Sequence, residues 1–238
     1  MMTIMELVKQ FWNEEDIGEL QRYLQTFGNQ EKVEWSKNLL NTQMPVLAIK
    51  TADLKKIINE ISKGNFLSFL DLMIWEYYEN TVLNGALICK INDFDKQKKY
   101  LDIYSAKADN WATCDLLSFK VKGKEDQYFD LVLEYVKSDL PFVRRIGMSI
   151  LFEFIDNENY VDRIFELLNG FKSEEHYYVN MMNAWLICEC FIKQREKTIQ
   201  FLNSHNLNKF TINKAIQKCR ESYRVSAEDK ETLLKYKA

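Results

Sequence analysis

Residues Thr51 to Ile61 read TADLKKIINEI. Leu54, Ile57, Ile58 and Ile61 recur at spacings of three, one and three, so they share one face of a helix, with charged residues on the other. Thr51 is a suitable N-cap for this helix, and Gly64 a suitable stop. The same period runs outward in both directions. MELVKQFW predicts a helix over 5–12, with Met5, Leu7, Val8, Phe11 and Trp12 near one face. IGELQRYLQTF adds Ile17, Leu20, Leu24 and Phe27, and KVEWSKNLL adds Val33, Trp35, Leu39 and Leu40. Further helices are predicted in FLSFLDLMIW, ENTVLNGALICKI and KQKKYLDIY, then from DQYFDLVLEYV to AEDKETLLKY. Pro141 fits a first-turn position, and Ser226 to Asp229 has capping-box spacing. No segment shows the strict alternation of a half-buried strand.

Composition agrees. The 238 residues include only 7 glycines and 2 prolines, the residues that interrupt helices, and 47% are hydrophobic, enough for a sizeable core. A dozen or more helices joined by two to six residues predict antiparallel neighbours. The expected fold is all-α: an α-solenoid of antiparallel, HEAT-like or ARM-like helix pairs with a concave face, in a single domain over 1–238. A non-repetitive helical bundle fits the same periodicity.

The chain carries no glycine-rich phosphate loop, no GxSxG and no HExxH. Its two histidines, His176 and His205, stand apart, so a Ser-His-Asp or Cys-His engine is not expected. The five cysteines form no CxxC pair, so neither a metal site nor a disulfide framework is predicted, and no cofactor. With no signal-like start and no membrane-length apolar run, the expectation is a cytoplasmic, soluble protein. The net charge is −3 but unevenly placed. Residues 1–35 hold 7 acidic and 3 basic side chains, whereas residues 193–238 hold 11 basic and 5 acidic. A polyanion responds to such a local field.

Three local features carry chemistry. DNWATCD sets Trp111 and Asp115 one turn apart behind Asp109-Asn110, a helix-start pair. PFVRRIGMSILFEF carries adjacent Arg144 and Arg145 on an apolar helix, where an arginine needs an anion, either a carboxylate or a phosphate. YYVNMMNAWLICECF, with Trp185, is apolar almost all round, so it is buried or lines something. Taken singly, the tryptophans and the acid have commoner explanations, a packed core and a solvated carboxylate, and for the arginine pair a salt bridge between helices stands level with a ligand.

In order, these pieces resemble the AlkD-like DNA alkylation repair glycosylases, a bacterial family of HEAT-like repeats. PVLAIKTADLKKI is similar to that family's early segment, with Lys50 and Lys55 at basic positions; DNWATCD to its tryptophan-to-aspartate motif; PFVRRIGMSIL to the helix with a DNA-facing arginine, Arg145 matching better; YYVNMMNAWLICECF to the helix with a second active-site tryptophan, Trp185; and FTINKAIQKCRESYRVS to its basic C-terminal helix. Asn180-Met181-Met182 and Cys188-Glu189 stand where the family often has basic residues. The resemblance implies a glycosylase, active as a monomer, that excises cationic N3- or N7-alkylated purines from double-stranded DNA. Asp115 would stabilise the oxocarbenium-like sugar, and Trp111 and Trp185 would wall the site. Arg145, Arg144, Lys214, Lys218 and Arg220 would hold phosphates. A DNA-binding member that excises nothing, and a helical scaffold for protein partners, remain as other readings of the same residues.

Overall fold

The computed structural model describes residues 5–238. Among them are fourteen α-helices, three short 3₁₀ turns and no strand. The helices fall into two compact units, Met1–Lys120 and Val121–Ala238.

The first unit contains α1 (Glu14–Gln25), α2 (Val33–Leu40), α3 (Thr51–Ile61), α4 (Phe66–Leu72), α5 (Tyr78–Ile88), α6 (Phe94–Lys107) and α7 (Trp111–Asp115). The central α5 packs against α3, α4, α6 and α7. On α3, Leu54, Ile57, Ile58 and Ile61 are all buried, as their spacing predicts. Its N-cap is Lys50, without a side-chain hydrogen bond, and Thr51 begins the helix.

The helix predicted over 5–12 does not form. The chain there runs without helical structure, burying Met5, Leu7 and Trp12 and leaving Val8 and Phe11 exposed. Its backbone is held instead by α4 and the turn before it. The Asn65 N–H donates to the Lys9 carbonyl at 2.8 Å, and the Trp12 N–H to Ser68 Oγ at 3.0 Å. Gly64 admits this approach: a Cβ there would lie 2.3 Å from the Lys9 carbonyl oxygen. Gly64 therefore acts as the seat of a neighbouring segment three residues after α3 ends. Tertiary hydrogen bonds outweigh a local helical pattern of this length.

Between α2 and α3 the chain crosses from 41 to 50 without regular structure. Ala48 takes a left-handed conformation, φ 56°. Glu79, on the first turn of α5 and 1% exposed, clasps this bend by accepting the N–H groups of Leu47 at 3.0 Å and Ile49 at 3.3 Å. A buried carboxylate is tolerable when backbone donors and a helix N-terminus satisfy it.

The second unit contains α8 (Glu125–Tyr135), α9 (Pro141–Ile150), α10 (Glu158–Asn169), α11 (Tyr177–Lys193), α12 (Arg195–Ser204), α13 (Lys209–Glu221) and α14 (Ala227–Thr232). Pro141 takes the first-turn position, where its missing N–H costs nothing. Ser226 caps α14 through the Asp229 N–H at 3.1 Å, but the Asp229 carboxylate turns to Arg195 instead of closing the capping box. The apolar α11 is the centre of this unit and packs against α9, α12 and α13.

Candidate DNA-contacting sites

In the first unit, Trp111 and Asp115 are the ends of α7, a helix of five residues. Asn110 starts it by accepting the Thr113 N–H at 3.0 Å, the role its position predicts. From below, the turn is fixed by Tyr104, whose hydroxyl donates to the Thr113 carbonyl at 2.8 Å. Gly85 on α5 allows the close packing, since a Cβ there would stand 2.5 Å from Leu116 Cδ1 and 2.8 Å from the Tyr104 hydroxyl. Thr113 and Cys114 are wholly buried, while Trp111 and Asp115 are half-buried and face outward.

The same turn is tied to the end of α2. The Trp111 indole N–H donates to the Leu39 carbonyl at 3.2 Å. That carbonyl is one of the four at a helix C-terminus without an intrahelical partner. Asp109 accepts the Thr42 hydroxyl at 2.6 Å and the Gln43 N–H at 3.3 Å. Three hydrogen bonds thus join two segments about 70 residues apart. A carboxylate and an indole face are thereby presented on a turn whose backbone is held on two sides. Lys50 and Lys55, on or before the first turns of α3, are exposed.

In the second unit the candidate residues occupy different environments. Arg144 is fully engaged: Nε and a terminal nitrogen hold both Glu174 oxygens at 2.8 and 2.9 Å, and the other terminal nitrogen donates to the Ser138 and Asp139 carbonyls. The carboxylate is thus the partner that the sequence left open between an acid and a phosphate. Arg145 is 5% exposed and donates to the Tyr178 carbonyl. Burial favours the neutral form of Glu174, but Arg144 and the His176 N–H outweigh it and hold the carboxyl below its usual range. Burial lowers the His176 pKa, against the pull of Glu174 and with Arg144 and Arg145 adding to it.

Trp185 is 40% exposed. Most of α11 is covered, and its open side includes a stripe at helical spacing: Tyr177, Met181, Trp185, Glu189 and Lys193. The Trp185 ring rests against Phe152, 4.8 Å between centroids. Phe152 was not singled out in the sequence; its place behind Trp185 depends on the 3₁₀ turn Leu151–Phe154 that follows α9.

The basic C-terminal segment is partly neutralised. Lys193 pairs with Asp156, Arg195 with Asp229 and Glu196, Lys197 with Asp162, and Arg224 with Glu189. Lys214 and Arg220 line an open groove of about 890 Å³ with Phe210, Gln217 and Lys230. Lys214 donates to the Gln217 amide oxygen at 3.1 Å and lies 5.9 Å from the Phe210 ring centre. Lys218 is half-buried and, with Arg224, acts electrostatically on the Cys188 thiol. Lys209, Lys214, Lys218 and Arg220 bring four of this segment's basic side chains together on α13.

Among the described residues no group of three or more His, Cys, Asp or Glu stands close enough to hold a metal ion, and no helix is long and apolar enough to cross a membrane. A comparison with curated proteins gave no match. A family model described as DNA alkylation repair enzyme matches residues 20–219, which include α7, α9, α11 and nearly all of α13.

Proposed function

The chain belongs to the DNA alkylation repair enzyme family, and on that footing we propose that it is a DNA glycosylase excising cationic N3- and N7-alkylated purines from duplex DNA. The observation that carries this reading is the fixed turn bearing Asp115 and Trp111, half-open to solvent and held by Tyr104 from below and Leu39 from the side.

An alkylated purine carries a positive charge, so breaking its C1′–N bond sends the bonding electron pair to a base that leaves neutral. No strong general acid is required, which suits a chain with two scattered histidines. Positive charge develops instead on the deoxyribose, as in glycoside hydrolysis. Asp115 stabilises that charge and takes a hydrogen bond from the water that attacks C1′. The electron-rich face of Trp111 favours the same cation. The second unit offers DNA contacts of its own: the exposed indole of Trp185 packs on the backbone, and Lys214 and Arg220 hold phosphates, with Lys218 one turn from Lys214. Arg145 orders the start of α11 through Tyr178, and Arg144 does so through Glu174. Within each unit the helix pairs are read as HEAT-like repeats, and the protein works as a monomer.

The test is direct. Duplex DNA containing 7-methylguanine is incubated with the protein and the free base is measured. Release by the native protein and its loss in Asp115→Asn support the proposal. Binding without release points to a member that holds DNA without excision, and no binding at low salt removes DNA as the ligand.

A further inference from the structure

Glu189 is the single acidic residue of α11, and it stands on the open stripe of that helix one turn beyond Trp185. At that spacing the two Cβ atoms are about 5–6 Å apart, so whatever packs on the indole also meets this carboxylate. A carboxylate alone would repel a phosphate there. It is not alone. Arg224 reaches it from the loop between α13 and α14: one terminal nitrogen donates to a Glu189 oxygen at 2.9 Å, and the other to the second oxygen. The Arg224 side chain is 41% exposed and that of Glu189 13%, so the guanidinium forms the outer half of the pair.

The bridge is not what holds the loop. The Arg224 N–H donates to Ser222 Oγ at 3.2 Å, and the next residue, Val225, is buried. Exposed ion pairs add little to stability in any case. A guanidinium carries five N–H donors, and Glu189 takes two, which leaves three on a partly open side chain for a second anion. Its planar fork matches a phosphate as well as a carboxylate. Lys218, on α13, and Arg224 both act electrostatically on the neighbouring Cys188 thiol, so two cations gather at this end of the stripe.

We propose that Arg224 is a phosphate-binding residue beside Trp185, and that Glu189 is its internal competitor, a carboxylate that keeps the contact weak. This rests on the glycosylase reading, through the placement of Trp185 on the DNA backbone, and deepens it. Phosphate contacts supply essentially all of the affinity for undamaged DNA. A competitor built into one of them lowers that affinity and frees the protein to leave unmodified sites.

The test compares the full-length native chain with Glu189→Gln, Arg224→Gln and the double variant. Affinity for an undamaged duplex is measured at several salt concentrations, and base release from a duplex containing 7-methylguanine is measured alongside. Glu189→Gln should tighten binding several-fold and steepen the salt slope by about 0.9, the share of one phosphate. Adding Arg224→Gln to it should erase both gains. If Glu189→Gln tightens binding equally with and without Arg224, only the lost negative charge acts, and the proposal is overturned. If no variant changes affinity while the native protein releases base, the proposal is overturned and the glycosylase reading stands. If the affinities follow the expected pattern and no base is released, the Arg224 contact stands and excision falls. If the native protein neither binds DNA nor releases base, both are overturned.

Discussion

The indole N–H of Trp111 donates to the Leu39 carbonyl at 3.2 Å, so the tryptophan expected to face substrate is also the pin that fastens α7 to the last turn of α2. One side chain thus serves two purposes, and they can be separated. Trp111→Phe keeps an aromatic face and deletes the donor. It should lower stability by about 1 kcal/mol, typical of one net hydrogen bond. Base release should fall further than in any variant of equal stability lacking contact with α7. Urea unfolding alongside single-turnover release checks this; equal losses in both kinds of variant count against a positioning role.

Gly85→Ala tests the floor of the same turn. The new methyl group would meet Leu116 Cδ1 at 2.5 Å and the Tyr104 hydroxyl at 2.8 Å. Overpacking of this kind costs about 1–3 kcal/mol. Because Tyr104 holds the Thr113 carbonyl, the strain should pass to Asp115, two residues on, and reduce base release while DNA affinity stays near native. A variant as active as the native chain would show that α7 tolerates displacement.

Acid should weaken the second unit in two stages. His176 and His205 have folded-state pKa values below 6.5, chiefly through burial, so the unfolded chain binds protons more readily. Their contribution is complete above about pH 6.5 and is lost as pH falls through their folded values. Glu174 is held below 4.5, burial being outweighed by Arg144 and the His176 N–H, so its contribution is lost only below about pH 4.5. Glu174→Gln removes the second stage and leaves Arg144 without its carboxylate, at a cost of about 3 kcal/mol at neutral pH. Urea midpoints across pH 3.5–8 measure both; a Glu174→Gln curve parallel to the native one below pH 4.5 would sink the assignment.

Asn183 sits near the centre of α11, fully buried, and among the described residues neither its amide nitrogen nor its oxygen meets a hydrogen-bond partner. A buried polar group without a partner loses its hydration for nothing in return. Asn183→Leu keeps the number and branching of heavy atoms and removes the penalty, so stability should rise by about 1 kcal/mol once the bulk of the methyl groups is offset. A fall in the unfolding midpoint would mean that the amide is satisfied in solution.

The helices were legible because burial of one face repeats every three to four residues, and Leu54, Ile57, Ile58 and Ile61 show that period without interruption. The start of α7 was legible in Asn110, whose side chain acts on a neighbour three residues away. Residues 5–12 carry a similar apolar pattern and form no helix, because their backbone is satisfied by Asn65 and Ser68, far along the chain. The arginine pair shows the same boundary. An anion was required on an apolar helix, but that Arg144 finds Glu174, thirty residues later, follows only from how α9 meets the turn before α11.

By itself the sequence determined a helical chain, the helix starts at Asn110 and Ser226, and the order of pieces that marks a DNA alkylation repair enzyme, because period and capping act over a few residues and survive in one dimension. Tertiary structure alone decided which faces stay open. Trp185 is exposed because α9, α12 and α13 cover the other sides of α11, and Trp35 is exposed because nothing among the described residues covers its side of α2. The Leu39 carbonyl is free to take Trp111 because a helix must leave its last carbonyls unpaired, and only the folded chain decides which donor arrives.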